Sequence, residues 1–393
     1  MNKESILLLT KDAQCKVYYP CYGNKYYKDK TPNLDELVAK GTIFNRFYTA
    51  APSSNMSYLS MFTMKYPYQH NILRYEYLDK DYEGETFFDK TKVLGFENHI
   101  IWDSSWDQDI QYTKCYGDSI IHSIEDLKQA VGAHFLHKER LCPDDKKALN
   151  TLNNVRKEVE NIMSQNKKVF LWIHLPHVLN GRTAYGSDMD LYDQYIGMLR
   201  EYFDDSNIFI SADHGNMNGS KGKIGYGFHV YESSICIPLI TPRINNKIEC
   251  NDNLCNIDFF DIIFNRHLPS HKFIYSDSSY YGQPNRKLCI VFKNFRYIYN
   301  KYSKKEELYD IDWDPNQDFN LIADNVYDTD RYVTTPACEY YFYPYWDDLS
   351  EIRSMLRKEK KRIWREADFL TEFYNKINQR IKPIHAKIKR LLK

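Results

Sequence analysis

The chain has 393 residues, 43% of them hydrophobic and 27% charged, with 53 Lys+Arg balancing 53 Asp+Glu. That length and apolar content suit one large globular domain with a smaller appendage, and no apolar run approaches the ~18–20 residues of a membrane span. The nine cysteines are odd in number and include no C-x-x-C pair, which argues against a disulfide framework or a structural zinc knot.

The first residues, MNKESILLLTKDAQ, hold only a short apolar run and no small-residue cleavage site, so no secretory signal is read and cytoplasmic residence is expected. "SILLLT" (5–10) has the continuous apolar character of a strand buried on both faces. "TPNLDELVAKG" (31–41) reads as a punctuated helix, with Thr31 as N-cap, Pro32 in the first turn and Gly41 as the stop. "TAAPSSNMSYLSMFTMKYPYQH" (49–70) places adjacent serines, Ser53 and Ser54, in a small-residue loop ahead of an apolar run. A helical segment near 144–165 precedes a second buried strand, "KVFLWIHL" (168–175). Helical spacing returns in "MDLYDQYIGMLREYF" (189–203), and "NIFISAD" (207–213) and "SICIPLIT" (234–241) read as further strands. Strands alternating with helices predict an α/β fold, a mostly parallel central sheet flanked by helices.

The texture changes near residue 270. "KLCIVFKNFRYIYNK" (287–301) alternates as antiparallel strands do, and turn chemistry follows in "EELYDIDWDPNQDFNLI". The expected organisation is a main domain over 1–270, a small antiparallel α+β subdomain over 271–335, and an aromatic segment with a basic helical tail over 336–393. Residues 351–393 carry fourteen Lys/Arg against five Asp/Glu, so a +9 tail is offset by a −9 body. Ile377, Ile381, Ile384, Ile388 and Leu391 form a narrow apolar stripe there, with Pro383 bending it. An amphipathic basic helix of this kind can meet a partner helix or a membrane surface peripherally. No nucleic-acid module accompanies the charge, so nucleic acid is not an expected partner.

Ligands of parallel α/β sheets gather beyond the C-terminal strand ends. Asp12 follows the first strand, His174 and His177 close "FLWIHLPH", and Asp213–His214 close "IFISAD". Two carboxylates and an imidazole fixed by sheet geometry suit a divalent metal ion. His174 reads better as a buried, hydrogen-bonded strand residue than as a ligand. A metal also answers what would activate a plain serine: it lowers the basicity of the hydroxyl and neutralises a phosphoryl or sulfuryl oxygen. A G-x-S-x-G elbow is absent.

In this order the segments resemble the sulfatase-like branch of the alkaline phosphatase superfamily. "LLLTKDAQ…PCYGNKYYKDKTPNLDELVAKGTIFNRFYTAAP" is similar to that family's opening strand and its approach to the nucleophile. "FLWIHLPH", "YDQYIGMLREYFDDSNIFISADHG", "YGFHVYESSICIPLI" and the late "RYIYNKYSKKEELYDIDWDPNQDFNLI" follow in family order. The resemblance implies a catalytic domain over 1–270 with Ser54, not Ser53, as nucleophile. It implies Asp12, Asp213, His214 and the Ser54 oxygen as metal ligands. It puts Lys65, His177 and His229 at substrate-contacting positions. Met56 and Tyr58 occupy the places where the formylglycine signature needs Pro and Arg, so Ser54 is expected to remain serine. Lys11 stands where many sulfatases have a second aspartate, which favours zinc or manganese over calcium or magnesium. The expected function is therefore a metal-dependent hydrolase or transferase of phosphate-type esters, acting on a phosphorylated or sulfated small molecule or glycan. A sulfate-ester hydrolase and an inactive binding homologue are the alternatives.

Overall fold

The computed structural model describes residues 3–70, 82–103, 115–124, 145–176, 188–278, 286–322, 326–327, 332–334, 340–343 and 348–364. Strand β1 (Ile6–Lys11) is buried along its whole length. It lies at the centre of an eight-stranded sheet with β2 (Gly41–Phe44), β4 (Glu97–Asp103), β5 (Ile120–Ile124), β6 (Val169–Leu175), β7 (Ile208–Ala212), β8 (Leu239–Pro242) and β9 (Glu249–Cys250). The spatial order is β5-β4-β6-β1-β7-β8-β2-β9. β1 pairs in parallel with β6 and β7, and only β8 runs against its neighbours. A short parallel pair joins β3 (Phe47–Tyr48) to β10 (Leu254–Cys255). The fold is the α/β architecture expected, with a mostly parallel sheet.

Side chains alternate across each strand, so the central strands feed two cores. Leu8, Phe170, Trp172 and Phe209 enter one core, against Met56, Tyr58, Leu59 and Phe62 of helix α2 (Ser54–Thr63) and Phe87 and Phe88 of α3 (Phe87–Val93). Leu7, Leu9, Leu171, Ile173, Ile208 and Ile210 enter the other. There they meet α1 (Pro32–Lys40), α4 (Asp145–Ser164) and α5 (Met189–Leu199). Burial on both faces is why β1, β6 and β7 lack polar alternation.

Two local expectations change. Thr31 holds the N-cap position of α1 but makes no side-chain cap. Asp193 of α5 does that work, accepting from Leu34 N at 2.8 Å and Asn33 N at 3.3 Å. "SICIPLIT" opens on a helical turn, Glu232–Ile235, and only Leu239–Pro242 is strand. Gly41 ends α1 in an extended conformation; its role is close approach, since a Cβ there would lie 2.3 Å from the Thr241 carbonyl oxygen.

A separate antiparallel sheet follows: β11 (Ile274–Asp277), β12 (Lys287–Phe292), β13 (Phe295–Asn300) and β14 (Glu306–Asp310). It packs with Leu349, Leu356 and Ile363 of a helix over 349–364. The apolar stripe from Ile377 to Leu391 and its Pro383 lie outside the described residues, as does most of the 336–393 segment. Among the described residues, no helix is long and apolar enough to cross a membrane.

Candidate active site

Asp12, Asp213 and His214 come together at the C-terminal ends of β1 and β7, with candidate ligand atoms all within 4.8 Å of one another. The strands bring this about directly. β1 and β7 are hydrogen-bonded neighbours in parallel register, so their first residues past the sheet are side by side.

Helix α2 delivers the serine. Ser57 Oγ donates to the Asp213 carbonyl at 2.6 Å, and Asn256 Nδ2 donates to Ser57 Oγ at 2.9 Å. These bonds clamp the first turn of α2 against the end of β7. Ser54, the first residue of the helix, then lies with its Oγ 3.1 Å from Asp12 Oδ1 and 3.1 Å from His214 Nε2. Its oxygen sits where the partial positive charge of the helix N-terminus favours an anion. Ser53 is the buried neighbour, with no hydrogen bond to its Oγ among the described residues. Ser54 is only half-buried.

Hydrogen bonding orients the imidazole. His214 Nδ1 lies 2.8 Å from the Gly215 carbonyl oxygen, which can only accept, so Nδ1 carries a proton and Nε2 is the ring nitrogen turned to the cluster. Nε2 faces Asp12 Oδ1 at 3.6 Å and Asp213 Oδ2 at 3.4 Å. With Nε2 unprotonated, these three atoms repel one another unless a cation lies among them. A backbone carbonyl on the far nitrogen is also the usual support of a metal-bound imidazole. The donor set of two carboxylates, an imidazole and a hydroxyl thus fits a divalent ion. Asp213 Oδ1 accepts from Ala13 N at 2.9 Å and from His214 N at 2.7 Å. Burial, with the Asp12 carboxylate adding to it, pushes the Asp213 carboxyl up to about 6, against the opposing pull of His214. Gly215 is required by close approach: a Cβ would lie 2.2 Å from the Ser233 carbonyl oxygen.

The other sequence candidates fall elsewhere. Lys65 is exposed beyond the C-terminal end of α2. A helical rise of 1.5 Å per residue puts it roughly 15 Å along the axis from Ser54, and its ammonium lies over the Tyr82 ring. It is not part of the cluster. Lys11, at the end of β1, turns its buried ammonium away to Asp188 Oδ1 at 2.7 Å and Gln14 Oε1 at 2.8 Å. His177 lies outside the described residues. His229 is half-buried on the segment whose Tyr226 ring packs 4.7 Å from the His214 ring. Its Nδ1 has no hydrogen bond among the described residues, and burial with Lys287 and Lys223 nearby pushes it down to about 4. His174 is fully buried and hydrogen-bonded through both ring nitrogens, to Thr10 and Tyr58.

Tyr58, which the sequence offers only as a departure from a signature, contacts the site directly through Asp213 Oδ2 at 3.1 Å. Ser57, Asn256 and Tyr226 were equally silent. Their roles rest on contacts spanning up to 199 residues of sequence, which no local pattern encodes.

A model of the sulfatase family matches residues 4–247. Among curated proteins no sequence matches. Several solved structures are similar. A Bacteroides thetaiotaomicron protein assigned to the sulfatases is 15% identical, with a TM-score of 0.68 and 94% of each chain covered. A 2-O GAG sulfatase is 16% identical, with a TM-score of 0.64, covering 92% of this chain and 93% of its own. The phosphonate monoester hydrolase of Agrobacterium radiobacter is 12% identical, with a TM-score of 0.61, covering 92% of this chain and 96% of its own. The shared fold and a family match running over well more than half of the sequence establish that this chain belongs to the sulfatase family of hydrolases.

Proposed function

We propose that the protein is a metal-dependent hydrolase of phosphate-type esters in which an unmodified Ser54 is the nucleophile. The observation that carries this reading is the half-exposed Ser54 hydroxyl, 3.1 Å from both Asp12 Oδ1 and His214 Nε2. Met56 and Tyr58 support it, because both are buried apolar or aromatic residues of α2 where a modification signature needs Pro and Arg.

Asp12, Asp213, His214 and Ser54 would hold the ion, with imidazole among the ligands favouring zinc or manganese. Bound there, a divalent ion supplies Lewis-acid stabilisation of the developing negative charge and eases ionisation of the hydroxyl. The protein's own groups do the rest. Ser54 Oγ–H donates to Asp12 Oδ1, which takes the proton as the Oγ–P bond forms and the ester P–O bond breaks. The N-terminus of α2 receives the anionic phosphoryl oxygens. Water, or a sugar hydroxyl if the protein is a transferase, then displaces the serine in line and restores it. A sulfated serine lacks the exit that an aldehyde hydrate provides, so sulfate esters should turn over poorly. His229, neutral at pH 7, is the proposed contact to the rest of the substrate. A phosphorylated or sulfated glycan suits that role, given that a 2-O GAG sulfatase and a phosphonate monoester hydrolase share the fold.

Side-by-side assays of nitrophenyl phosphate, phosphonate and sulfate esters, with zinc or manganese added, test the reading. Phosphorus esters should turn over faster, and Ser54→Ala and Asp213→Ala should each lower kcat/KM by at least ~10³-fold. Sulfate turning over fastest would overturn the proposal in favour of a sulfate-ester hydrolase.

A further inference from the structure

Behind Asp213 lies a line of buried polar groups that the proposed chemistry does not use. Trp172 Nε1 donates to Thr10 Oγ1 at 2.8 Å. Thr10 Oγ1 lies 2.7 Å from His174 Nδ1. His174 Nε2 is hydrogen-bonded to the Tyr58 hydroxyl, and that hydroxyl reaches Asp213 Oδ2 at 3.1 Å. All five side chains are at most 2% exposed.

Counting protons favours one arrangement. The Thr10 proton has two acceptors within reach, His174 Nδ1 at 2.7 Å and the Ile173 carbonyl at 3.4 Å. The shorter bond uses Nδ1 as the acceptor, which puts the His174 proton on Nε2; the other choice leaves Thr10 only the long bond to the carbonyl. Nε2–H then donates to the Tyr58 oxygen, and the single Tyr58 proton goes to Asp213 Oδ2. The opposite tautomer would take the Tyr58 proton for Nε2 and turn the phenol lone pairs onto the Asp213 carboxylate. In a dry interior that repulsion is costly. Tyr58 is a phenol, a donor at neutral pH.

The geometry points to Tyr58 and His174 as positioning residues: a one-way hydrogen-bond relay, Trp172 to Thr10 to His174 to Tyr58 to Asp213, that locks the Asp213 carboxylate for cation binding. Two backbone N–H groups pin Oδ1, and Tyr58 pins Oδ2 from behind. Oδ2 is left with its remaining lone pair directed at the His214 side of the cluster, 3.4 Å from Nε2. The relay requires a neutral donor on α2 at this point. An Arg in place of Tyr58 would bring a charge into a pocket walled by the Trp172 and His174 rings, 5.1 and 4.9 Å from the Tyr58 ring.

This inference rests on the metal reading of the cluster, and the experiment separates the two. Nitrogen-15 NMR of histidine-labelled, metal-free wild-type protein should show His174 as the Nε2–H tautomer. Calorimetric titration with zinc and manganese should show binding about 10–100-fold weaker in Tyr58→Phe than in wild type, the usual cost of losing such a support. The phenyl ring keeps its packing in that variant. His174→Gln, which retains an N–H toward Tyr58, should recover most of the affinity that His174→Leu loses. An Nδ1–H tautomer overturns the relay without reference to any variant. Unchanged metal affinity in a folded Tyr58→Phe overturns the positioning role. Wild-type protein that binds neither metal overturns the metal reading and the positioning role with it.

Discussion

Ser53 and Ser54 are adjacent and chemically identical, yet their surroundings assign them different work. Ser53 Oγ is sealed in the N-cap position of α2, whereas Ser54 Oγ faces a carboxylate and an imidazole nitrogen. Ser53→Ala should therefore leave kcat/KM within a few-fold of wild type while Ser54→Ala abolishes it, in the same ester assay. A second residue-scale prediction concerns His271, whose Nε2 lies 2.8 Å from Asp258 Oδ1. The hydrogen bond to Asp258 raises its pKa above the ordinary 6.5, against the effect of burial. A raised folded-state pKa stabilises the fold fully below the unfolded value and is lost as pH rises through the folded one. The loss in Tm from His271→Asn should accordingly be larger at pH 5.5 than at pH 8.5. Equal losses at both would remove the pair as a source of pH dependence. At this scale the sequence was informative where a residue sits at a strand end, as Asp12, Asp213 and His214 do. It did not show that Lys65, which the resemblance put at a substrate-contacting position, stands beyond the opposite end of α2 from Ser54.

The central strands were legible because burial on both faces leaves an unbroken apolar signature in β1, β6 and β7. β4 and β5 escaped notice because they carry polar groups that satisfy one another. His99 Nδ1 lies 2.9 Å from His122 Nε2 across the two strands, and Glu97 and Glu158 take the outer nitrogens at 2.9 and 2.7 Å. A strand whose histidines pair sideways does not look apolar in sequence. The antiparallel hairpin of β12 and β13 was readable from its alternation, but not how it is fastened to the rest. Arg296 of β13 is fully buried and donates to Glu232 Oε2 at 3.0 Å, to the Lys293 and Phe295 carbonyls at 3.1 Å each, and to the Tyr48 hydroxyl of β3. One guanidinium thus bridges the small sheet and the turn that follows the His229 segment. Removing one partner of a buried ion pair strands the other, at a cost of about 3–5 kcal/mol. Arg296→Ala should destabilise by that order in urea unfolding, and Arg296→Lys should recover little, since one ammonium cannot serve four acceptors in different directions. A loss below ~1 kcal/mol would show that the junction does not depend on Arg296.

Across the whole molecule, a sheet covered on both faces leaves its strand ends as the natural place for chemistry, and Asp12, Ser54, Asp213 and His214 converge there from positions two hundred residues apart. Two carboxylates gathered beside an imidazole nitrogen repel one another and attract a cation. Zinc or manganese at ~100 times the dissociation constant should add about 2.7 kcal/mol to folding stability. The accompanying rise in Tm should vanish with chelator and in Asp213→Ala. An unchanged Tm in the wild type would deny the cluster its ion. The central claim is that an unmodified Ser54 attacks the ester. It is tested most directly by mass spectrometry of the peptide carrying Ser54, taken from protein quenched during turnover of a phosphorus ester. The account predicts serine in the resting protein and a phosphoryl or phosphonyl adduct on Ser54 in the quenched sample. The mass of formylglycine at position 54 would contradict it.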